Sequence, residues 1–132
     1  KFILSKNDIK IYSDGKPTRS FCYISDAIIG YLKAMCYPRY NVFNIGNDTD
    51  EISVKNLANL YRKIGYELFK HDSKIKFKKN KDKNYLSDNP NRRLPNIKRS
   101  KNLLNFRPKI DIKLGIKKYL TYLKYRTNIT KN

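Results

Sequence analysis

The chain has 132 residues, with 30 Lys+Arg against 11 Asp+Glu and a formal charge of +19, a length that suits one domain burying roughly two thirds of its unfolded surface. A hydrophobic fraction of 39%, with 13% aromatic, excludes a disordered basic tail, and no apolar run approaches the roughly 18 residues of a spanning helix, so no membrane partner is expected. Cys22 and Cys36 have neither zinc-ligand spacing nor the numbers for a disulfide framework, and read as free buried thiols of a reducing, cytoplasmic compartment.

The chain opens on Lys1, and Phe2-Ile3-Leu4 is too short for the apolar region of a signal peptide, so its start reads as an internal cut. Ile9-Lys10-Ile11-Tyr12 alternates apolar and polar residues and predicts a strand. Ser13-Asp14-Gly15 follows with an Asp-Gly turn signal, and Arg19-Ser20-Phe21-Cys22-Tyr23 resumes extended character, so two short strands are expected to flank a turn. Asp26 can cap a helix reaching about Cys36, with Ile28, Leu32 and Met35 on one apolar face and Tyr37-Pro38 closing it. Tyr40-Asn41-Val42-Phe43-Asn44-Ile45 alternates like a strand and ends in the turn cluster Gly46-Asn47-Asp48.

Ser53 is the next helix N-cap. Val54, Leu57, Leu60, Tyr61 and Ile64 recur after it every three or four residues, one apolar stripe on a helix that Gly65 is expected to end. Lys74-Ile75-Lys76-Phe77-Lys78 predicts a short edge strand, and the polar, aperiodic stretch 79–89 a loop. Past Pro90 and Pro95 a short helix is expected over 97–104; after Arg107-Pro108, Asp111 caps a last helix with Ile112, Ile116, Tyr119, Leu120 and Leu123 on its face. No repeat, heptad seam or linker divides the chain. The expected class is α/β, a mixed α+β lobe occupying 1–132 as one unit.

Little of this sequence can carry catalysis. Gly15, Gly30, Gly46, Gly65 and Gly115 lie too far apart for a phosphate-cradling loop, so no cofactor is expected in this chain alone. His71 has no Cys, Asp or Ser arrangement suited to a triad or a metal, and reads as a solvated bystander. Tyr12 to Lys16 and Tyr66 to Lys70 match the Tyr-x-x-x-Lys spacing, but one spans a turn and the other runs off a helix end, so both are chance matches in a lysine-rich chain. No catalytic residue and no metal ligand is expected. Two arginine sites stand out instead: Arg19, just past a turn, and Arg92-Arg93, between two prolines. Guanidinium forks hold phosphate oxygens bidentately where lysines offer diffuse charge, so two such sites suit a diphosphate as readily as they suit plain solvated surface.

Four segments together carry a resemblance: residues 11–26 (Ile11-Tyr12-Ser13-Asp14-Gly15 through Arg19-Ser20-Phe21-Cys22-Tyr23 to Asp26), Phe43-Asn44-Ile45-Gly46-Asn47, residues 88–97 around Arg92-Arg93-Leu94-Pro95, and residues 101–109. In order and spacing, the chain resembles the C-terminal part of the extended short-chain dehydrogenase/reductases acting on nucleotide sugars, notably the UDP-glucuronate decarboxylases, with dTDP-glucose dehydratases and sugar epimerases as relatives. Ser13 where the family usually has Gly, Asn96 where it has Asp and Phe106 where it often has Trp are departures.

The resemblance implies a substrate-binding lobe whose N-terminal Rossmann half, with NAD and the catalytic Tyr and Lys, is missing here. It implies that the backbone of Lys10, Ile11 and Tyr12 lies against the base and that Arg19 grips the diphosphate. Arg93, with Arg92 beside it, would form the second arginine patch, and Ser53 would fall where some relatives touch the nucleotide; Asp26 and Asn44 read as structural, a cap and a turn former. For the whole enzyme it implies oxidation at the sugar's C4 by NAD, then decarboxylation, dehydration or epimerisation, usually with re-reduction, on a UDP- or dTDP-linked sugar in a homodimer.

Two other readings remain open at this level. The charge, 11 Tyr and 6 Phe admit a small basic nucleic-acid-binding module. Tyr61, Tyr119 and Phe43 fall on apolar faces, however, and no base-reading motif occurs, so nucleic acid is not the expected partner. An inert pseudo-enzyme remnant is the other. The lysine excess, set among many Ile, Asn and Tyr, fits codon bias as well as it fits an anionic partner, since net charge bears on solubility and not on fold. A lobe made without its other half is expected to expose an apolar interface and self-associate.

Overall fold

Ser53 starts the best-formed helix as its spacing predicts: its Oγ accepts from Asn56 N at 3.2 Å. A computed structural model of the protein describes residues 7–78 and 90–129, the side chains of 127–129 excepted; Phe2-Ile3-Leu4, the loop expected over 79–89 and the start of the third resembling segment lie outside the described residues. The elements run β1 (Ile9–Ile11), β2 (Thr18–Ser20), α1 (Ile24–Met35), β3 (Glu51–Ser53), α2 (Val54–Phe69), β4 (Ile75–Phe77), β5 (Arg92–Arg93), α3 (Lys98–Leu103) and α4 (Ile112–Ile129). This is the expected mixed α/β lobe.

The Asp-Gly turn does not close a hairpin. β1 pairs in parallel with β4, Ile9 opposite Ile75 and Ile11 opposite Phe77, while β2 lies between antiparallel β3 and parallel β5 in a second sheet. The corner between them is built to a different end. Ser13 Oγ accepts from Gly15 N and Asp14 Oδ1 from Lys16 N, and Gly15 sits at φ 76°, a conformation open to glycine. The carbonyls of Pro17 and Gly15 are thereby aimed at α2, accepting from Val54 N and Lys55 N at 3.0 Å each. With Ser53 Oγ, they satisfy the first three amides of that helix.

Ile64, Ile116 and Leu120 are buried where α2 meets α4, joined by Ile9, Leu57, Leu60 and Leu68. Ile97, Leu104 and Phe106 form a second cluster with Cys22, Tyr37, Phe43 and Ile45, in which the Tyr37 and Phe43 rings meet edge to face at 5.1 Å. Each such buried side chain contributes about 1.5–3 kcal/mol. α2 runs through buried Gly65 to Phe69 and leaves at Lys70, φ 53°, instead of ending at the glycine. A helical Gly costs about 1 kcal/mol, and the apolar stripe continuing through Leu68 and Phe69 onto α4 outweighs it.

Asp26 does not cap α1. The helix begins at Ile24 without a side-chain cap, and Asp26, 5% exposed, points across the lobe to accept from Lys109 N and Ile110 N at 2.9 and 2.8 Å. Asp50 Oδ2 accepts from Ile112 N at 3.0 Å, so two carboxylates fasten the lead-in to α4, whose own first turn Asp111 caps through Leu114 N. Asn44 is likewise a tie and no turn former, donating to Asn96 O and accepting at its carbonyl from Ser100 Oγ.

The apolar face expected for α1 is present but uncovered among the described residues: Ile24, Ile28, Leu32 and Met35 are exposed, as is Cys36. Gly30 is the position that turns inward, against Ile45 and Phe106. Residues 40–45 keep the burial alternation of a strand, Phe43 and Ile45 in, Tyr40 and Val42 out, yet join no ladder among the described residues.

Candidate functional site

Thr18, Arg19 and Ser20 form the middle strand of the three-stranded sheet, and successive side chains on a strand point to opposite faces. The register sets Arg19 beside Arg93 of β5 and Ile52 of β3, and Thr18 beside Arg92 and Ser53. One face therefore carries Arg19, Arg93 and Ile52. The other carries Thr18, Ser20, Glu51, Ser53 and Arg92. Two arginines far apart in the chain become immediate neighbours, and the two that are adjacent in sequence are separated.

Arg92 is committed to the second face. Glu51 Oε1 accepts from Thr18 Oγ1 at 2.6 Å and from Arg92 Nε at 2.8 Å, and Oε2 accepts from Arg92 Nη2 at 2.9 Å. The Arg92 guanidinium, helped by the Thr18 hydroxyl, holds the Glu51 carboxyl down at about 2. Ser20 Oγ donates on this side to Asn47 O. On the first face Arg19 Nη1 donates to Thr18 O at 2.6 Å, and the register sets Arg19 beside both Arg93 and Ile52. Like charges directly opposite in a sheet repel, and an anion set between two guanidinium forks relieves that repulsion while accepting charge-assisted hydrogen bonds.

The remaining candidates occupy the neighbouring elements. Lys10, Ile11 and Tyr12 lie on and just past β1, in the other sheet, joined to β2 by the 12–17 corner. Ile9 N donates to Lys74 O and Ile11 O accepts from Lys78 N. These two residues spend their backbone on β4, which turns the Lys10 N–H and C=O toward the opposite edge of β1. Ile11 is buried and Tyr12 is 45% exposed. Ser53 uses its hydroxyl in the α2 cap.

Glu51 is the residue that the sequence reading passed over. A signal existed: Asp48, Asp50 and Glu51 concentrate acid within a strongly basic chain, and each is a fastener, Asp48 to Lys101 at 2.6 Å, Asp50 to Ile112 N and Glu51 to Arg92.

Past the end of β2 an apolar cavity of about 370 Å³ opens among Phe21, Tyr23, Leu57, Tyr61, Ile112 and Tyr119. Burial pushes the Tyr61 phenol and the Cys22 thiol above their ordinary values, with smaller contributions from Tyr119 and Asp26, so neither is primed to ionise near neutrality. Among the described residues no cluster of three or more His, Cys, Asp or Glu could hold a metal ion, and no helix is long and apolar enough to cross a membrane. Neither the start of α2 nor either Tyr-x-x-x-Lys pair is arranged to hold a dinucleotide. The leading amides of α2 are taken by Pro17, Gly15 and Ser53, Lys70 lies beyond the end of the helix that carries Tyr66, and Tyr12 and Lys16 straddle the corner.

No protein-family model matches the sequence. The chain is 34% identical over 113 residues to UDP-glucuronic acid decarboxylase 4 of Arabidopsis thaliana, covering 86% of this chain and 23% of that one. It is 28% identical to the UDP-glucuronate 4-epimerase of Thermodesulfobacterium geofontis over all of this chain and 38% of the relative. Among solved structures, UDP-glucose 4-epimerase from Thermotoga maritima, with UDP-glucose, superimposes with a TM-score of 0.78 over 95% of this chain and 37% of that one, at 22% identity. The chain thus spans between about a quarter and two fifths of the length of these relatives.

Proposed function

The chain belongs to the NAD-dependent epimerase/dehydratase family, the extended short-chain dehydrogenase/reductases, and on that premise we propose that it is the C-terminal, substrate-binding lobe of a nucleotide-sugar-modifying enzyme of UDP-glucuronate decarboxylase type. The observation that carries this reading is the juxtaposition of Arg19 and Arg93 on one sheet face: two planar forks side by side match the oxygens of a diphosphate. The backbone edge of β1 at Lys10, beside Tyr12, is the surface for the base. Ser53 lies on the opposite sheet face from the arginine pair, and its part is to hold α2.

In this reading the lobe binds and orients, and no step of the chemistry is assigned to it. NAD would supply hydride transfer from a seat in the rest of the polypeptide. The uncovered apolar side of α1, and the strand-like but unladdered segment 40–45 beside it, are the seam against which that remainder packs. An open strand edge next to an apolar helix face calls for a sheet to join. A homodimer of the complete enzyme on a cytoplasmic nucleotide sugar is the corresponding assembly and setting.

The test is calorimetric titration of UDP into the full-length gene product. Arg93→Ala and Arg19→Ala should each weaken UDP by about 1.5–3 kcal/mol, the range of a hydrogen bond to a charged group, and leave uridine affinity nearly unchanged. Unaltered UDP binding in both variants would remove the diphosphate reading. A steep salt dependence, with single-stranded nucleic acid bound more tightly than UDP, would favour the nucleic-acid alternative, for which α4 offers a surface with Lys117, Lys118, Tyr122 and Tyr125 exposed.

A further inference from the structure

β5 is a two-residue strand, and a strand so short has little ladder of its own to fix its register. Its backbone attachment to β2 consists of the pairs Thr18 with Arg92 and Arg19 with Arg93, extended by Thr18 N donating to Asn91 O at 2.8 Å. The only side-chain tie from β5 to the rest of the sheet among the described residues runs from Arg92 to Glu51 of β3, a strand with which β5 does not pair. That tie crosses the whole sheet beneath Thr18, whose hydroxyl donates to the same carboxylate.

We propose that Glu51 is a positioning residue for anion binding: by clamping Arg92 on one face of the sheet it sets the register of β5 and so holds Arg93 beside Arg19 on the other. The inference rests on the diphosphate reading of that arginine pair. Adjacent residues of a strand face opposite ways, so a carboxylate that fixes Arg92 fixes the direction of Arg93 without touching the ligand. The same alternation keeps the acid off the anion's face. The depressed Glu51 carboxyl keeps the clamp charged throughout the neutral range.

The proposal makes a prediction whose sign is opposite to that of simple electrostatics. Glu51→Gln deletes a negative charge near a diphosphate site, and through-space attraction alone would then tighten UDP binding. Positioning requires the reverse. Gln keeps one acceptor for Thr18 and Arg92 Nε but presents an NH₂ group to Arg92 Nη2, so β5 loosens and UDP binding weakens by about tenfold, the scale of a site held slightly out of geometry. Uridine, which lacks the phosphates, binds as before.

The experiment titrates UDP and uridine into the full-length gene product carrying Glu51→Gln, Arg92→Gln, both together, or Arg93→Ala. Each Gln variant should lose UDP affinity by a similar factor, the double variant should lose no more than either alone because the two residues form one clamp, and uridine should be unaffected throughout. If Glu51→Gln binds UDP as tightly as the parent or more so while Arg93→Ala loses it, the clamp is overturned and the arginine pair stands. A loss of UDP and uridine alike would also overturn it, showing a general structural role. If Arg93→Ala retains full UDP affinity, the diphosphate reading fails and the clamp fails with it.

Discussion

Gly30→Ala sets two effects of known size against each other. On propensity alone, Ala in the middle of α1 should gain about 1 kcal/mol over Gly. The added Cβ would lie 2.5 Å from Ile45 Cγ2 and 3.0 Å from Phe106 Cε2, and neither neighbour can retreat. Phe106 is 1% exposed within the Ile97–Leu104 cluster, and Ile45 sits on a segment tied to α3 by Ser100 Oγ donating to Asn44 O at 2.6 Å. Overpacking of a tight core costs about 1–3 kcal/mol, and a 2.5 Å contact belongs at the upper end. The expected net loss is therefore about 1–2 kcal/mol, which at a urea slope of about 1.5 kcal/mol per molar lowers the unfolding midpoint by roughly 1 M. The assay is urea unfolding of the full-length protein by far-UV circular dichroism, with Ile45→Ala as companion. Because that change removes the clashing methyls, the double variant should be less destabilised than the sum of the singles. A midpoint unchanged or raised in Gly30→Ala would refute the reasoning, since it would show that α1 does not approach Ile45 this closely.

Three further outcomes follow from the same geometry. Asp26→Ala strips two backbone N–H groups, of Lys109 and Ile110, of their acceptor and should destabilise by about 2–4 kcal/mol, with Asp26→Asn losing less; equal unfolding midpoints for Ala and wild type would contradict this. The Glu51 carboxyl, held at about 2 against an ordinary 4.5 by Arg92 and Thr18, has its pKa depressed by folding. Its contribution is thus fully present above about pH 4.5 and is lost as pH falls through about 2; a carbon-detected titration of that side chain inflecting near its ordinary value would disprove the pairing. Finally, the 132-residue chain made alone should self-associate through the open side of α1, where Leu32 and Met35 are 51% and 75% exposed. Leu32→Glu with Met35→Lys should shift it toward monomer in light scattering, and a parent chain already monodisperse would argue against the seam.

Periodicity is a local quantity, and it reported correctly what is local. The stripe through Leu57, Leu60, Tyr61 and Ile64 became α2, and the alternation of 74–78 became β4. At 40–45 the period of two survives as alternate burial, but alternation says which side chains turn inward and not which backbone, if any, lies alongside. The apolar face of α1 was equally visible, whereas its cover is a matter of what else packs there. The Asp-Gly turn does lie between two short strands as expected, but a turn signal does not name those strands' partners, and the carbonyls of Gly15 and Pro17 serve the start of α2. The arginines show the limit most plainly. Arg19 and Arg92-Arg93 stand out in sequence as guanidinium sites, but their division between two faces depends on a register formed between segments far apart. Glu51 takes on meaning only once that register is known.

The two carboxylates that fasten the approach to α4 bear on the order in which the lobe is made. Asp26 and Asp50 lie in the first half of the chain, and their backbone partners, at 109, 110 and 112, in its last quarter. During synthesis both acids emerge long before anything that can satisfy them, and Ile64 emerges before Ile116 and Leu120, against which it is buried. In the nascent chain Asp26 has only water as its partner until residues 109 and 110 leave the ribosome. Folding here closes contacts more than 80 residues apart, slow in the manner of long-range contacts, and a ribosome that stops short of α4 releases a chain without the Ile116 and Leu120 that bury Ile64.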